Sequence, residues 1–304
     1  MNIQIPVTVS VITYNSSRFV QETLESIKAQ TYQPLILQIC DDCSTDNTVR
    51  ICRKWIEKNK DRFIETKIII SDHNTGVSAN LNRAIDACKT EWFKGIAGDD
   101  ILKPECIEEN IEYVNRNPDA IIVFSRVEVF GKSKERCRVF NEWFDYSFFK
   151  LTPKEQFDKA ISAGWPISST TSFINVIQLR KLGIRADERI PCVDDDPFFY
   201  NLIKANVIFH FVDKVTVKYR VGEGGLSSGS SVSPKLLLSR RLYSLYYVFP
   251  TQYEINPENA INEIVEYESS LMHEIEAIHD SFSFRLGSFL LAPLRWVKMI
   301  LNRQ

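Results

Sequence analysis

Between Val7 and Phe130, short β-branched runs alternate with longer segments of helical periodicity. Val7–Thr13 (VTVSVIT), Leu35–Cys40, Lys67–Ser71, Trp92–Ala97 and Ala120–Phe130 read as strands. Between them, Ser16–Gln30 carries Phe19, Val20, Leu24 and Ile27 on one stripe, and Thr45–Lys60 carries Val49, Cys52 and Ile56. Gly76–Cys88 and Lys103–Asn115 continue the helical pattern. Strands that alternate with helices build βαβ units, and these give a mostly parallel sheet covered by helices on both faces. The predicted class is therefore α/β and Rossmann-like. Ligands of such sheets bind beyond the carboxyl ends of the strands, where the connecting loops gather.

Three acidic clusters stand out against this frame. Asp41-Asp42 follow the second strand, Gly98-Asp99-Asp100 follow the fourth, and Val193-Asp194-Asp195-Asp196 precede Pro197 and a helical pattern. Adjacent carboxylates repel, and each raises the other's pKa unless a cation or a donor group intervenes. One acid suffices to cap a helix or shape a turn, and each cluster has that reading: Ser44-Thr45-Asp46 looks like a helix start, and Pro197 suits a first helical turn with acids at its positive end. The surplus carboxylates point to chemistry. Hard oxygen ligands suit Mg²⁺ or Mn²⁺, usually with substrate phosphates completing the shell. A carboxylate at a strand end can accept from a base N–H or from ribose hydroxyls. One at a helix start facing a crevice can deprotonate a sugar hydroxyl.

Past Gly131 the pattern loosens. Lys132–Lys150 mixes charges with Trp143, Phe144, Tyr146, Phe148 and Phe149 and reads as an insertion or lid. Ile208–Val212 and Thr216–Arg220 read as two more strands, followed by a Gly/Ser-rich stretch, VGEGGLSSGSSVSP, that is either a linker or a loop closing over a ligand. From Pro234 onward the pattern is helical. The chain has 304 residues, 44% hydrophobic and 25% charged, with a net charge of −2, so no basic field exists to hold nucleic acid. Seven scattered Cys and four isolated His give no expectation of a zinc site or a disulfide framework, and free thiols fit a reducing, cytoplasmic setting. The N-terminus has no signal-peptide pattern, and no uninterrupted apolar stretch reaches spanning length.

In combination the motifs VSVITYNSSRFVQETLESIKAQTY, ICDDCSTDNT, NTGVSANLNRAI and FKGIAGDDILKPE, with the looser VDDDPFFYNLI and VTVKYR, resemble an inverting family 2 glycosyltransferase of GT-A fold, from Pro6 to about Ser231. The resemblance implies a GT-A domain over 1–231, with a nucleotide-binding part over about 1–130 and an acceptor part over about 131–231. A helical region follows over 232–304. It further implies that Thr13, Tyr14, Asn15, Asp41 and Asp42 hold the nucleoside of a nucleotide-sugar donor, UDP by preference, and that Asn74, Gly76 and Asn82 shape the same pocket. Asp99 and Asp100 match the metal-binding motif, with Asp99 also toward the donor, for Mn²⁺ or Mg²⁺ bridging the two phosphates. Asp195 would be the catalytic base, with Asp194 and Asp196 as supporting acids. Three departures are visible: Ala97 replaces the first Asp of the metal motif, Leu81 stands where many relatives carry Arg, and Asp194 replaces Glu with Asp196 added.

The implied reaction is transfer to a glycan or lipid-linked acceptor in cell-surface polysaccharide synthesis, such as O-antigen or capsule. Trp165, in AGWPISSTTSF, offers a flat face to an acceptor sugar or else packs in the core. The tail segment 285–303 alternates apolar residues with Arg285, Arg295, Lys298 and Arg303. It reads as a helix in a membrane interface, at the inner face of the cytoplasmic membrane, or as one packed on the domain or in a homodimer. The alternative to transfer is a nucleotide-sugar-binding or nucleotidyltransferase-like protein. The sequence lacks the GxxxxGK[ST] loop that would support a triphosphate site.

Overall fold

The structure is a computed structural model and describes residues 4–221 and 234–280. In chain order the first half comprises β1 (Val7–Thr13), α1 (Val20–Lys28), β2 (Leu35–Asp41), α2 (Thr48–Asn59), β3 (Glu65–Ile70), α3 (Val77–Ala87), β4 (Trp92–Ala97), β5 (Ile101–Leu102), α4 (Cys106–Arg116) and β6 (Ile122–Phe130). The second half comprises α5 (Lys134–Trp143), α6 (Pro153–Ala163), β7 (Phe173–Asn175), α7 (Val176–Leu182), α8 (Asp195–Lys204), β8 (Phe209–Arg220), α9 (Pro234–Tyr243), α10 (Phe249–Ile255) and α11 (Pro257–Asp280).

Among the described residues, eight strands form one sheet in the order β3-β2-β1-β4-β7-β6-β8-β5. The β3-β2-β1-β4 half is parallel, as the βαβ pattern requires, with Thr13 opposite Asp41 and Ile12 opposite Ala97. The other half is mixed: β7 pairs antiparallel with both β4 and β6, β6 pairs parallel with β8, and β5 pairs antiparallel with β8. The two C-terminal strands expected from periodicity are one strand, Phe209–Arg220, whose pairing with β6 shifts register at Ser125–Val127. A bulge there absorbs Asp213 and Lys214, the polar pair that looks like a break in the sequence.

Two apolar layers sandwich the sheet. Val7, Val9 and Val11 of β1 pack with Val20, Leu24 and Ile27 of α1 on one side. Phe93, Phe124, Phe199 and Phe209 gather on the other. Each such side chain, fully buried, contributes about 1.5–3 kcal/mol. The 132–150 insertion is anchored in these layers. Phe140 and Phe144 pack against the first, and Phe148, fully buried, belongs to the second.

The chain divides into two compact units, Met1–Tyr247 and Val248–Gln304. The division falls later than residue 231 because α9 and the turn after it are bonded into the first unit. The Cys192 N–H donates to Ser239 Oγ (3.2 Å), Trp165 Nε1 to the Tyr243 hydroxyl (3.1 Å), and the Tyr247 hydroxyl to Asp187 Oδ2 (2.8 Å). The Gly/Ser-rich loop and the basic tail 285–303 lie outside the described residues. Among the described residues no helix is long and apolar enough to cross a membrane.

Candidate active site

The parallel half of the sheet brings the first two acidic clusters to one edge. β1 lies between β2 and β4, so Asp41-Asp42 and Gly98–Asp100 emerge on either side of Thr13. The Asp42 N–H donates to Thr13 O (2.9 Å) and the Gly98 N–H to Ile12 O (3.0 Å). Asp41 is fully buried. Its Oδ2 accepts from Thr13 Oγ1 (2.9 Å) and Ser44 Oγ (2.6 Å), and its Oδ1 from the Ser44 N–H (2.8 Å). Asn15, in the left-handed region at φ 50°, accepts at Oδ1 from the Thr45 and Asp46 N–H groups. These side chains fix the loops at the carboxyl edge of the sheet, and Tyr14 is left 49% exposed.

Asp42 is 2% exposed, and its carboxylate clasps the loop before α3. Oδ2 accepts from the N–H groups of Thr75 (2.9 Å) and Gly76 (2.8 Å), and Oδ1 from Thr75 Oγ1 (2.6 Å). Gly76 in turn lies against Pro191: the Val77 N–H donates to Pro191 O (2.9 Å) and Ser78 Oγ to Ile190 O (2.7 Å). Pro191 stands three residues before Asp194. A continuous bonded path therefore links Asp42, Gly76 and the loop that delivers the third acidic cluster. Asn82 belongs to the same device. It holds Ala186 from both sides, with Nδ2 to O (2.9 Å) and the Ala186 N–H to its Oδ1 (3.0 Å), and it also reaches Glu188. Its two ends are thus committed to the 186–188 loop, while Asn74 is exposed.

The third cluster forms the first turn of α8, with Asp194 at the N-cap position. Burial, then Asp195 beside it, pushes Asp194 up to about 7. Asp196 is pushed well above the ordinary range by burial and by Asp195 and Asp194, against the opposing pull of Arg240 on α9. The Asp196 N–H donates to Asp195 Oδ1 (3.1 Å). A carboxyl group held near neutrality at a helix start is suited to accept a proton at physiological pH.

Residues 8–169 match the model of the Glycosyl transferase family 2 family, a little over half of the chain. The chain belongs to this family. Relatives include the putative glycosyltransferase EpsE of Bacillus subtilis, 30% identical over 119 residues, which cover 39% of this chain and 42% of EpsE. An uncharacterized glycosyltransferase of Haemophilus influenzae is 24% identical over 224 residues, covering 73% of this chain and 67% of the relative. The match to EpsE thus spans less than half of that relative's length. Among solved structures, S. aureus TarS 1–349 in complex with UDP-GlcNAc aligns with TM-score 0.60 and 20% identity over 79% of this chain and 66% of that one. Mannosyltransferase PcManGT from Pyrobaculum calidifontis, in complex with GDP-Man and Mn²⁺, aligns with TM-score 0.58 and 17% identity over 100% of this chain and 89% of that one. At these identities the likeness shows the fold, which is GT-A.

Asp99 and Asp100, which the sequence resemblance expects to be the metal motif, differ sharply in setting. Asp99 is half-buried, and burial raises its pKa while Arg220 opposes the rise. Asp100 is 1% exposed and is raised well above the carboxylate range by burial and by Asp99. Its Oδ1 accepts from the Arg220 N–H (2.8 Å), and its Oδ2 is buried with no hydrogen-bond partner. Among the described residues no group of three or more His, Cys, Asp or Glu side chains could hold a metal. The pair still fits a hard divalent ion held by one carboxylate and donor phosphates: two adjacent acids, one orphaned oxygen and raised pKa values all call for positive charge. Asp100, expected as a second ligand, is the more deeply buried of the two.

Trp165 requires the larger correction. It is 5% exposed, among Phe148, Phe199 and Phe209 at centroid distances of 6.2, 5.6 and 6.1 Å, and its N–H is committed to Tyr243. Core packing takes the faces an acceptor sugar would need. Arg83 was not singled out in the sequence. It donates to Asn80 Oδ1 (2.7 Å), Thr75 Oγ1 (2.9 Å) and Ser71 Oγ (3.1 Å), 3.6 Å from Asp42. It places a cation beside Asp42, and its position just after Asn82 in the helical run was the available signal. Cys40 and Cys43 flank the acids in C-x-x-C spacing, and both are free thiols.

Proposed function

We propose that this chain is an inverting glycosyltransferase that moves a sugar from a nucleotide sugar, by preference a UDP-sugar, to a hydroxyl of a glycan or lipid-linked glycan in polysaccharide synthesis. What supports it above all is the family 2 fold together with the bonded path that runs from Asp42 through Gly76 to Pro191, three residues before Asp194. The loops held by Asp41, Asp42, Asn15 and Arg83 form the wall for the nucleoside. Asp99 would hold a divalent ion beside the donor phosphates. A divalent ion there would supply Lewis-acid stabilisation of the charge that grows on the leaving phosphate.

Asp195, at the start of α8, takes the proton of the acceptor hydroxyl. The new C–O bond forms at the anomeric carbon as the sugar–phosphate bond breaks on the opposite face, so the configuration inverts in one step. Asp194, whose carboxyl is pushed up to about 7 by burial and by Asp195, stands beside it at the N-cap of α8. Calorimetric titration with UDP, GDP and dTDP, each with and without Mn²⁺, tests the donor site on wild type and Asp99→Ala. Binding of one nucleotide that needs the ion and fails in the variant is expected. Binding of none by folded protein refutes the reading. Asp195→Asn is expected to lower kcat by about 10²–10⁴-fold with donor affinity retained, which separates transfer from mere nucleotide-sugar binding.

A further inference from the structure

The turn that carries Asp99 and Asp100 is held on three sides. The Gly98 N–H is bonded to β1, and Asp100 O accepts from Thr23 Oγ1 of α1 (2.7 Å). The third hold is Arg220, the last residue of β8, which donates to both acids. Its N–H reaches Asp100 Oδ1 (2.8 Å), and its Nε reaches Asp99 O (2.8 Å). The guanidinium is itself fixed by Glu22 Oε2 at Nη2 (2.6 Å) and by the rings of Phe19 and Phe130, whose centroids lie 4.1 and 4.5 Å away. Its side chain is 8% exposed.

We propose that Arg220 is a positioning residue for the candidate cation site, aiming the Asp99 carboxylate by holding the backbone of the acidic turn. The inference rests on the reading of Asp99 given under Proposed function. A planar fork suits this place, because one edge meets Glu22, another meets the Asp99 carbonyl, and the faces lie against aromatic rings. With the Asp99 carbonyl and the Asp100 carboxylate both tied to one residue, the peptide plane between the acids cannot rotate. The Asp99 side chain then leaves a fixed Cα. The positive charge also sits beside two adjacent carboxylates whose repulsion would otherwise open the turn. A lysine carries charge but neither the fork nor the flat face.

The test uses the full chain as wild type, Arg220→Lys, Arg220→Met and Glu22→Gln. UDP, GDP and dTDP are titrated with and without Mn²⁺, and bound Mn²⁺ is followed by electron paramagnetic resonance. Melting curves report folding. Outer-shell partners of a metal ligand are worth about 10–100-fold in metal affinity, so Arg220→Met should lose that much of the Mn²⁺-dependent gain while metal-free nucleotide affinity stays within about twofold. Arg220→Lys should retain part of the gain, and Glu22→Gln should lose a smaller part. If Arg220→Met does not fold, the other two variants carry the comparison. An unchanged Mn²⁺ gain in every folded variant overturns the assignment of Arg220 alone. A wild type with no Mn²⁺ gain overturns the cation site, and this inference with it.

Discussion

Gly76 is the point where the loop clasped by Asp42 meets the loop that delivers the acidic turn of α8, and replacing it with Ala should be costly for two independent reasons. Its backbone sits at φ +92°, ψ 164°, a region open essentially to glycine alone, so a side chain there costs about 1–3 kcal/mol. An added Cβ would also stand 2.7 Å from Pro191 Cβ, 2.7 Å from Pro191 O and 3.2 Å from Pro191 Cα. Two of those atoms are backbone and the third belongs to a ring, so none can swing aside. Overpacking of this kind adds about 1–3 kcal/mol. The sum is roughly 2–6 kcal/mol, and at about 2–4 °C per kcal/mol for a unit of this size the melting temperature should fall by on the order of 10 °C. Gly183→Ala is the control. Gly183 also has a positive φ, +66°, but nothing lies within 4 Å of its added Cβ, so only backbone strain of about 1 kcal/mol remains. Thermal and urea unfolding of the two variants measure the difference. If Gly76→Ala costs no more than Gly183→Ala, the Pro191 contact is not the restraint described above.

The α8 acids should make stability fall as pH rises. Asp194 is raised from 3.8 to about 7, so in that interval the unfolded chain has released a proton that the native chain retains; stability declines toward neutrality, and Asp196 acts in the same direction. Urea unfolding from about pH 4.5 to 8 reads this slope, and Asp194→Asn should reduce it. Trp165→Ala should destabilise the substrate-free protein by about 3–5 kcal/mol, the usual cost of deleting a core indole. An unchanged melting temperature with a raised acceptor KM would instead restore Trp165 as an acceptor contact.

The parallel half of the fold was legible because its strands alternate with helices, each of whose apolar stripes has only one face of the sheet to cover. From that order alone, Asp41-Asp42 and Asp99-Asp100 had to emerge at the carboxyl edge. The mixed half was less legible. β7 is three residues long, β5 is two, and β8 continues through a polar bulge, so their pairing rests on partners far away in sequence. The roles of individual acids divided in the same way. Composition and spacing announced surplus carboxylates, but Asp41 and Asp100 differ from Asp99 only in what surrounds them. Burial and hydrogen bonds from Ser44, Thr13 and the Arg220 backbone are three-dimensional facts.

Arg220, Arg83 and Trp165 make the same division. A buried Arg between Phe19 and Phe130 and an Arg beside Asp42 carry no signal of their setting in the sequence, and an indole sealed by Phe148, Phe199 and Phe209 reads there as either an acceptor face or a core residue. Sequence by itself determined the element order of the parallel half, the family and the edge at which the first two acidic clusters emerge, because periodicity and local turn residues act over neighbours in the chain. Only the tertiary structure decided which carboxylate is open and which is enclosed, because desolvation and hydrogen-bond supply depend on residues up to 120 positions away, as Arg220 is from Asp100.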